Sequence, residues 1–285
     1  MGWKHLIRGQ MGDDDILPVG VVGASGRMGR ALMECIAEDP FLELACAIVR
    51  PGSLSEGKSL ADFLPHCDFG CMEFESSLVN CAQAAVIVDF STPEVALKYG
   101  ELAASEGIPY VTGTTGFSSQ QLTQISQIAQ KTAVVQANNM SLGVNILAML
   151  TTQASKALGE DFDVEILEMH HNKKLDAPSG TALMLGDAVV KGRSAFNLPK
   201  GKMQYERVGH RKARDKGEIG FAVLRGGDVV GEHDVVFAGL GERIVLRHIA
   251  TDRMIFARGA LRAAQWVFDK PVGEYTMQDV LCGLT

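Results

Sequence analysis

The sequence has no apolar run reaching the ~18 residues that a membrane span needs. It has no excess of positive charge either: 27 Lys and Arg stand against 34 Asp and Glu, for a formal net charge of −7. Such a chain has no global attraction to nucleic acid or to anionic lipid, so an anionic ligand must be held by a local cluster. There is no C-x-x-C pair among the six cysteines, Cys35, Cys46, Cys67, Cys71, Cys81 and Cys282. Cys67, Cys71 and Cys81 beside His66 invite a metal reading, but zinc sites gather their ligands in tighter knuckles. The expectation is unpaired thiols, a reducing compartment and no metal. No internal repeat or low-complexity tract appears. The N-terminus has basic residues without an apolar h-region, which excludes a signal peptide, and Leu6 stands where a myristoylation site takes Ser or Thr. A poorly ordered extension over residues 1–17 and a cytoplasmic location are expected.

What is present is ordinary globular material: 46% hydrophobic and 21% charged residues over 285 positions. Dominant disorder and fibrous rods are excluded, and the length suggests roughly two domains. A short apolar run, Ile16 to Val22, ends at Gly23-Ala24-Ser25-Gly26-Arg27-Met28-Gly29. Met28, Leu32, Cys35 and Ile36 then recur at helical spacing, and a second apolar run spans Phe41 to Val49. Strand, glycine turn, helix and strand in this order open a dinucleotide-binding fold. Glycines let the chain turn tightly and let a pyrophosphate approach the backbone, and the helix start offers N–H groups and a positive dipole end. The pattern is G-x-x-G-x-x-G, with Ser25 where the common fingerprint has its second glycine. A carboxylate closing the second strand would bind an NAD ribose. Here Ile48-Val49-Arg50 closes it, and Arg50 suits a 2′-phosphate, which favours NADPH over NADH.

Ala85 to Phe90, Pro109 to Val111 and Ala133 to Val135 read as further buried strands. Ser91-Thr92-Pro93-Glu94 reads as a helix start with a hydroxyl cap before proline. In open α/β sheets ligands sit beyond the carboxyl ends of the strands. Gly113, Thr114 and Thr115 would therefore offer N–H and hydroxyl groups near a nicotinamide ribose, with Thr115 also a candidate substrate contact.

Asp163 to Met169 alternates acidic and apolar residues, as a half-solvated strand does. It runs into His170-His171-Asn172-Lys173-Lys174-Leu175-Asp176-Ala177-Pro178-Ser179-Gly180-Thr181, and a helix is predicted from Ala182 to Val190. Ser179 is a natural N-cap, and the unpaired N–H groups of Gly180 and Thr181 make a carboxylate site. A histidine relays protons near neutral pH, and a lysine among cations becomes a proton donor. Strands are predicted at Gly220–Leu224, Asp234–Phe237 and Arg243–Ile249, and helical periodicity returns over residues 251–268. The reading is of a mixed open sheet with helices on one face, its bare face suited to oligomerisation.

The stretch His170-His171-x-x-Lys174-x-Asp176-Ala-Pro-Ser-Gly-Thr-Ala182 closely resembles the dihydrodipicolinate (4-hydroxy-tetrahydrodipicolinate) reductase family of lysine biosynthesis. Gly23-x-x-Gly26-Arg27-Met28-Gly29, Val88-Asp89-Phe90-Ser91-Thr92-Pro93, Gly113-Thr-Thr-Gly-Phe117, Ser141-Leu-Gly-Val-Asn145, Gly231-Glu-His233 and Arg253-Met-Ile-Phe256 carry the resemblance in order to the C-terminus. It implies reduction of a cyclic dicarboxylate imine by NADPH or NADH with loss of water, usually in a homotetramer built through the second domain's sheet. By position, His170 resembles the family's proton donor and acceptor and Lys174 its proton donor. His171, with Ser179, Gly180 and Thr181, would hold substrate carboxylates. Gly23, Ala24, Ser25, Gly26, Arg27, Met28, Arg50, Gly113, Thr114, Thr115, Ala137, Asn138, Asn139 and Met140 would line the cofactor.

The expected class is α/β, a Rossmann-like dinucleotide-binding domain over 18–141 and a smaller α+β domain with a mixed open sheet over 142–250. The latter would bind substrate and oligomerise, and residues 251–285 would return as a C-terminal helix to the first domain. Two departures from the family pattern carry expectations. Val49 replaces a frequent carboxylate before Arg50, which supports NADPH. Ala137-Asn138-Asn139-Met140-Ser141 replaces Ala-Pro-Asn-Phe-Ser, which predicts a looser loop. The alternatives are another amino-acid dehydrogenase, against which the DAPSGTA stretch speaks, and a non-catalytic NADP(H) sensor.

Overall fold

The computed structural model describes residues 16–77, 83–194, 201–209 and 211–283. Most of the expected N-terminal extension, residues 1–15, and Cys81 lie outside the described residues. The chain divides into two compact units, one ending at Ser141 and resuming at Met254, the other running from Leu142 to Arg253.

The first unit alternates strands and helices: β1 (Leu17–Val22), α1 (Arg27–Glu38), β2 (Leu42–Ile48), α2 (Leu60–Phe63), β3 (Val86–Asp89), α3 (Pro93–Glu106), β4 (Tyr110–Thr112), α4 (Ser119–Ile128) and β5 (Ala133–Gln136). Strand β1, Leu-Pro-Val-Gly-Val-Val, is buried along its whole length, as a parallel strand covered on both faces must be. Valines and isoleucines of β1, β3 and β5 pack with Tyr110, Ala103, Ile125 and Ile128. Helix α3 starts at Pro93, but the Thr92 hydroxyl makes no cap bond; it turns to the Glu94 carboxylate instead.

The second unit holds α5 (Leu142–Leu158), β6 (Asp163–His170), α6 (Gly180–Ser194), β7 (Met203–Gln204), β8 (Ile219–Arg225), β9 (Gly231–Ala238) and β10 (Arg243–Ala250). Its five strands run in the order β10-β9-β6-β8-β7. β9 is antiparallel to both β10 and β6, whereas β8 is parallel to β6 and to β7, so the sheet is mixed. Val164, Ile166, Phe221, Val235 and Phe237 line one face and pack on α5 and α6. The other face carries apolar side chains left open, with Leu224, Val245 and Ile249 each about half exposed.

The chain then returns to the first unit through α7 (Met254–Val267), β11 (Gly273–Tyr275) and α8 (Met277–Cys282). More than the expected helix comes back, because β11 adds an edge strand parallel to β5. The first sheet is therefore six-stranded, all parallel, in the order β11-β5-β4-β3-β1-β2. The order reverses at β1, where a Rossmann-like sheet takes its ligand.

Candidate functional site

In the first unit, the turn from β1 to α1 is the cradle expected from its glycines. Gly23 has φ +80°, and a Cβ there would lie 2.5 Å from Phe90 O. At Gly29 a Cβ would lie 2.3 Å from Gly23 O, so the helix start and the turn touch backbone to backbone. Gly23 and Ala24 both donate to Ile48 O at 3.0 Å, tying the turn to the end of β2. Gly26 is the N-cap of α1, and the first turn of that helix holds no acid. Ser25, Gly26 and Arg27 are exposed and Met28 half-buried. The first N–H groups of a helix have no intrahelical acceptor, so this turn is of the kind that can offer them to a phosphate. Arg50 is exposed, one residue beyond the buried Val49.

Loops after β3 and β4 meet on a buried carboxylate that sequence reasoning did not single out. Asp89 closes β3 with no exposed surface. It accepts hydrogen bonds from Ser91 Oγ (2.5 Å), Thr112 Oγ1 (3.0 Å) and Thr114 Oγ1 (2.7 Å). Burial pushes its carboxyl above the ordinary range, and the three hydroxyls oppose that. Thr114 Oγ1 also accepts from Ser91 N, and Thr114 N donates to Thr112 Oγ1 at 3.3 Å, so both the hydroxyl and the N–H expected to face a ligand are engaged within the protein. Gly113 lies so close to Phe90 that a Cβ would sit 2.3 Å from its ring, while Thr115 is exposed. Thr115 lies in the first unit; His171, Ser179, Gly180 and Thr181 lie in the second.

The loop of Ala137 to Met140, expected to be loose, is pinned. Ala137 N donates to Thr112 O, Asn139 Oδ1 accepts from Ser141 N at 2.9 Å, and Met140 is buried. The asparagine turn and the buried methionine tie this loop down. Asn138 stays exposed, and its Oδ1 accepts from Gln136 Nε2 at 3.4 Å.

In the second unit, the end of β6 and the start of α6 bring the other candidates together. The inward positions of β6 are Val164, Ile166, Glu168 and His170, so the buried face turns from apolar to polar over its last half. The expectation of a half-solvated acidic strand fails at Glu168, which is buried. Three fixed donors and an imidazole nitrogen explain this. His170 Nδ1 lies 2.5 Å from Glu168 Oε2, Arg225 Nη1 and Nη2 reach the two carboxylate oxygens at 2.7 and 3.0 Å, and Ser179 N donates at 2.9 Å. Burial alone would raise the Glu168 carboxyl; the guanidinium, the ring and the N–H together hold it below its ordinary value.

His170 is buried, and burial lowers its affinity for a proton, opposed by Glu168 and reinforced by Lys174 and Arg225. His233, on β9, packs edge-on against it with centroids 5.1 Å apart. Burial first, then the His170 ring, pushes His233 down to about 3. Ser179 Oγ accepts from Ala182 N, as a cap does, and meets His233 Nε2 at 3.1 Å.

Lys174 Nζ pairs with Asp176 Oδ2 at 2.9 Å, so its nearest charged neighbour is an acid rather than the cations expected from sequence. That lysine pulls the Asp176 carboxyl down. His171 is half-buried, and its Nδ1 accepts from Lys173 N, which leaves Nε2 as the donor of a neutral ring. Gly180 is exposed, with nothing within 4 Å of where a Cβ would sit, and α6 has no acid in its first turn. His170, His233, Lys174 and the Ser179 cap of α6 thus form one cluster, whose imidazoles and ammonium can exchange a proton. Glu168, Arg225, Asp176 and His233 belong to this cluster and were not foreseen. His66, read beside the cysteines, instead lies 3.4 Å from Glu34.

Comparison with known proteins agrees at each scale. A family model described as "Dihydrodipicolinate reductase, N-terminus" matches residues 17–140, and one described as "Dihydrodipicolinate reductase, C-terminus" matches 143–281. The 4-hydroxy-tetrahydrodipicolinate reductase of Cereibacter sphaeroides is 46% identical over 94% of this chain and 98% of its own. That of Agrobacterium fabrum is 46% identical over 92% of this chain and 94% of its own. Among solved structures, the dipicolinate-bound dihydrodipicolinate reductase of Paenisporosarcina sp. TG-14 shares the fold with a TM-score of 0.71, at 23% identity over 92% of this chain and 97% of that one. With both halves matched in order and nearly half the residues shared along almost the whole length, the chain belongs to the dihydrodipicolinate reductase family.

Proposed function

We propose that the protein catalyses the NAD(P)H-dependent reduction of 4-hydroxy-tetrahydrodipicolinate to tetrahydrodipicolinate, with loss of water, in diaminopimelate and lysine biosynthesis. The observation that carries this reading is the cluster at the end of β6 and the start of α6, with His170, His171 and Lys174 beside the Ser179 cap. Bound nicotinamide supplies the hydride. The chain must then bind two carboxylates and deliver a proton to the atom that gains charge. His171 Nε2 and the N–H groups of Gly180 and Thr181 hold the carboxylates. Lys174, positioned by Asp176, and His170, positioned by its neighbours, handle the proton. Gly23 to Met28 hold the pyrophosphate, and Gly113 to Thr115 with Ala137 to Met140 line the nicotinamide half. In this reading residues 18–141 bind the dinucleotide and 142–250 bind substrate and assemble a homotetramer, in a cytoplasmic enzyme. No helix among the described residues is long and apolar enough to cross a membrane.

NADPH is the preferred donor in this reading, because Arg50 is the exposed cation just past the β2 end to which the glycine turn is tied. The test follows the loss of NADPH or NADH absorbance with substrate generated from pyruvate and aspartate semialdehyde by the preceding synthase. Turnover is expected only when the synthase product is present, and faster with NADPH. Tight dinucleotide binding without turnover would instead make the protein a sensor, and turnover of aspartate or homoserine a different dehydrogenase. Arg50→Glu is expected to lower the NADPH-to-NADH ratio of kcat/KM by roughly tenfold or more, since a charge-assisted phosphate contact contributes about 1.5–3 kcal/mol. An unchanged ratio would remove Arg50 from the phosphate site.

A further inference from the structure

We propose that Glu168 is a positioning residue that fixes which nitrogen of His170 exchanges the proton and ties that ring to the carboxylate-binding start of α6. The proposal rests on His170 as the proton-handling group of the reductase reading. It goes beyond that reading by naming what sets the state of the ring.

Glu168 is buried, and three fixed hydrogen-bond donors and one ring nitrogen meet its two oxygens. Oε2 takes His170 Nδ1 at 2.5 Å and Arg225 Nη1 at 2.7 Å, while Oε1 takes Arg225 Nη2 at 3.0 Å and Ser179 N at 2.9 Å. Arginine and a backbone N–H can only donate, so the carboxyl must accept from both and is ionised. An ionised carboxylate facing Nδ1 selects the ring form with its proton on Nδ1. Nε2 is then the nitrogen that takes up and returns a proton, and the carboxylate stabilises the imidazolium whenever it forms.

The same carboxylate reaches further. Arg225 Nη2, held by Glu168, donates to Asp176 O at 2.6 Å, and the Asp176 carboxylate holds Lys174. Ser179, whose N–H ends on Glu168, caps α6 through its hydroxyl. One buried side chain thereby fixes the ring of His170, the loop carrying Lys174 and the start of the helix facing the substrate. A glutamine could not replace it. Its single oxygen would serve two of these four groups, and its NH2 group would face the others. Gly231 fits the same picture, since a Cβ there would press 3.1 Å from His170 Nε2.

The direct readout is the ring itself, by 15N NMR of the full-length protein without substrate. In the wild type above the His170 titration, the neutral ring is expected to carry its proton on Nδ1. A ring protonated mainly on Nε2 overturns the proposal, and this spectrum needs no variant. In Glu168→Gln the Nδ1–H form is expected to lose its dominance and kcat to fall by roughly 10²-fold or more, with NADPH affinity unchanged. The groups facing His170 are Glu168, Arg225, Lys174 and His233, with His248 next to His233. Glu168 is the one negative charge among them, so removing it lowers the proton affinity of His170, and the limb of the kcat profile that His170 sets is expected to move to lower pH. An unmoved limb with the ring form unchanged would reduce Glu168 to a packing role. Should Glu168→Gln fail to fold, Arg225→Lys keeps the carboxylate charged. It is expected to leave the ring form intact while raising KM, because Asp176 loses its tie. Wild-type turnover, measured alongside, tells a failed reductase reading from a failed assignment of Glu168.

Discussion

His233 shows how one buried side chain makes stability depend on pH. Only 4% of its surface is exposed, Nδ1 has no hydrogen-bond partner among the described residues, and the ring stays neutral down to about 3. That value lies below its ordinary 6.5. The unfolded chain therefore binds the extra proton, and stability falls as pH drops from about 6.5 towards about 3. The contribution of one such group approaches 1.4 kcal/mol per pH unit within that window. Burial lowers His170 and His248 as well, so they add to the slope with the same sign. Glu168, held below its ordinary 4.5, adds its share as pH falls from about 4.5 towards its folded value. Asp89 works in the other direction: its raised carboxyl takes up a proton more readily in the folded state. Thermal midpoints measured from pH 7 to 4 are expected to fall for the wild type and to fall less steeply for His233→Leu. Parallel curves would show that His233 does not carry this dependence.

At the scale of elements, the turn between β1 and α1 is where geometry leaves least room. A Cβ at Gly29 would lie 2.3 Å from Gly23 O and 2.5 Å from Ala24 Cα, so Gly29→Ala must push α1 away from the turn. Overpacking of this kind costs about 1–3 kcal/mol. The expected outcome is a lower urea midpoint together with dinucleotide binding weakened by tenfold or more in calorimetry. A variant that binds as tightly as the wild type would mean that the pyrophosphate does not rest there. This turn was legible in the sequence because its signal is local: apolar run, glycines, then period 3.6 within about twenty residues. Helix α5 was not legible in that way. Asn145, Thr151 and Ser155 are buried on it, and Ser155 Oγ donates to Val189 O on α6, so polar residues interrupt the inward stripe. Three-residue β11 depends on pairing with β5 from 140 positions away (Gly273 with Ala133), which no local pattern reveals. Strand β6 carried a readable clue. Its alternation places Glu168 and His170 on the same face as Val164 and Ile166, and Leu167 and Met169 on the other. A polar pair on a buried face marks a site, and an apolar pair on the opposite face marks a surface to be covered.

At the scale of the molecule, that second face is the surface on which assembly can be tested. Leu167 and Met169 of β6 lie level with Ala222 and Leu224 of β8, and with Asp234 and Glu232 of β9. Across β9, Val236 faces Val245 and Glu232 faces Ile249 on β10. Leu224, Val245 and Ile249 are each about half exposed, whereas Arg247 bridges Glu232 at 2.9 Å and Asp234 at 3.2 Å within the same face. A contiguous apolar surface carrying fixed ion pairs has the composition of an interface: the apolar part contributes affinity, and the charges select one register. A second copy of this sheet is the simplest partner, because an isologous contact covers the same patch on both chains. Val245 sits directly opposite Val236, so Val245→Asp would place a charge in the apolar strip without touching the His170 cluster or the glycine turn. Light scattering is expected to give a tetramer for the wild type and a smaller species for the variant, with dinucleotide binding kept at wild-type strength. A wild type that is monomeric at micromolar concentration, or a variant whose mass does not change, would show that this face is not where the chains meet.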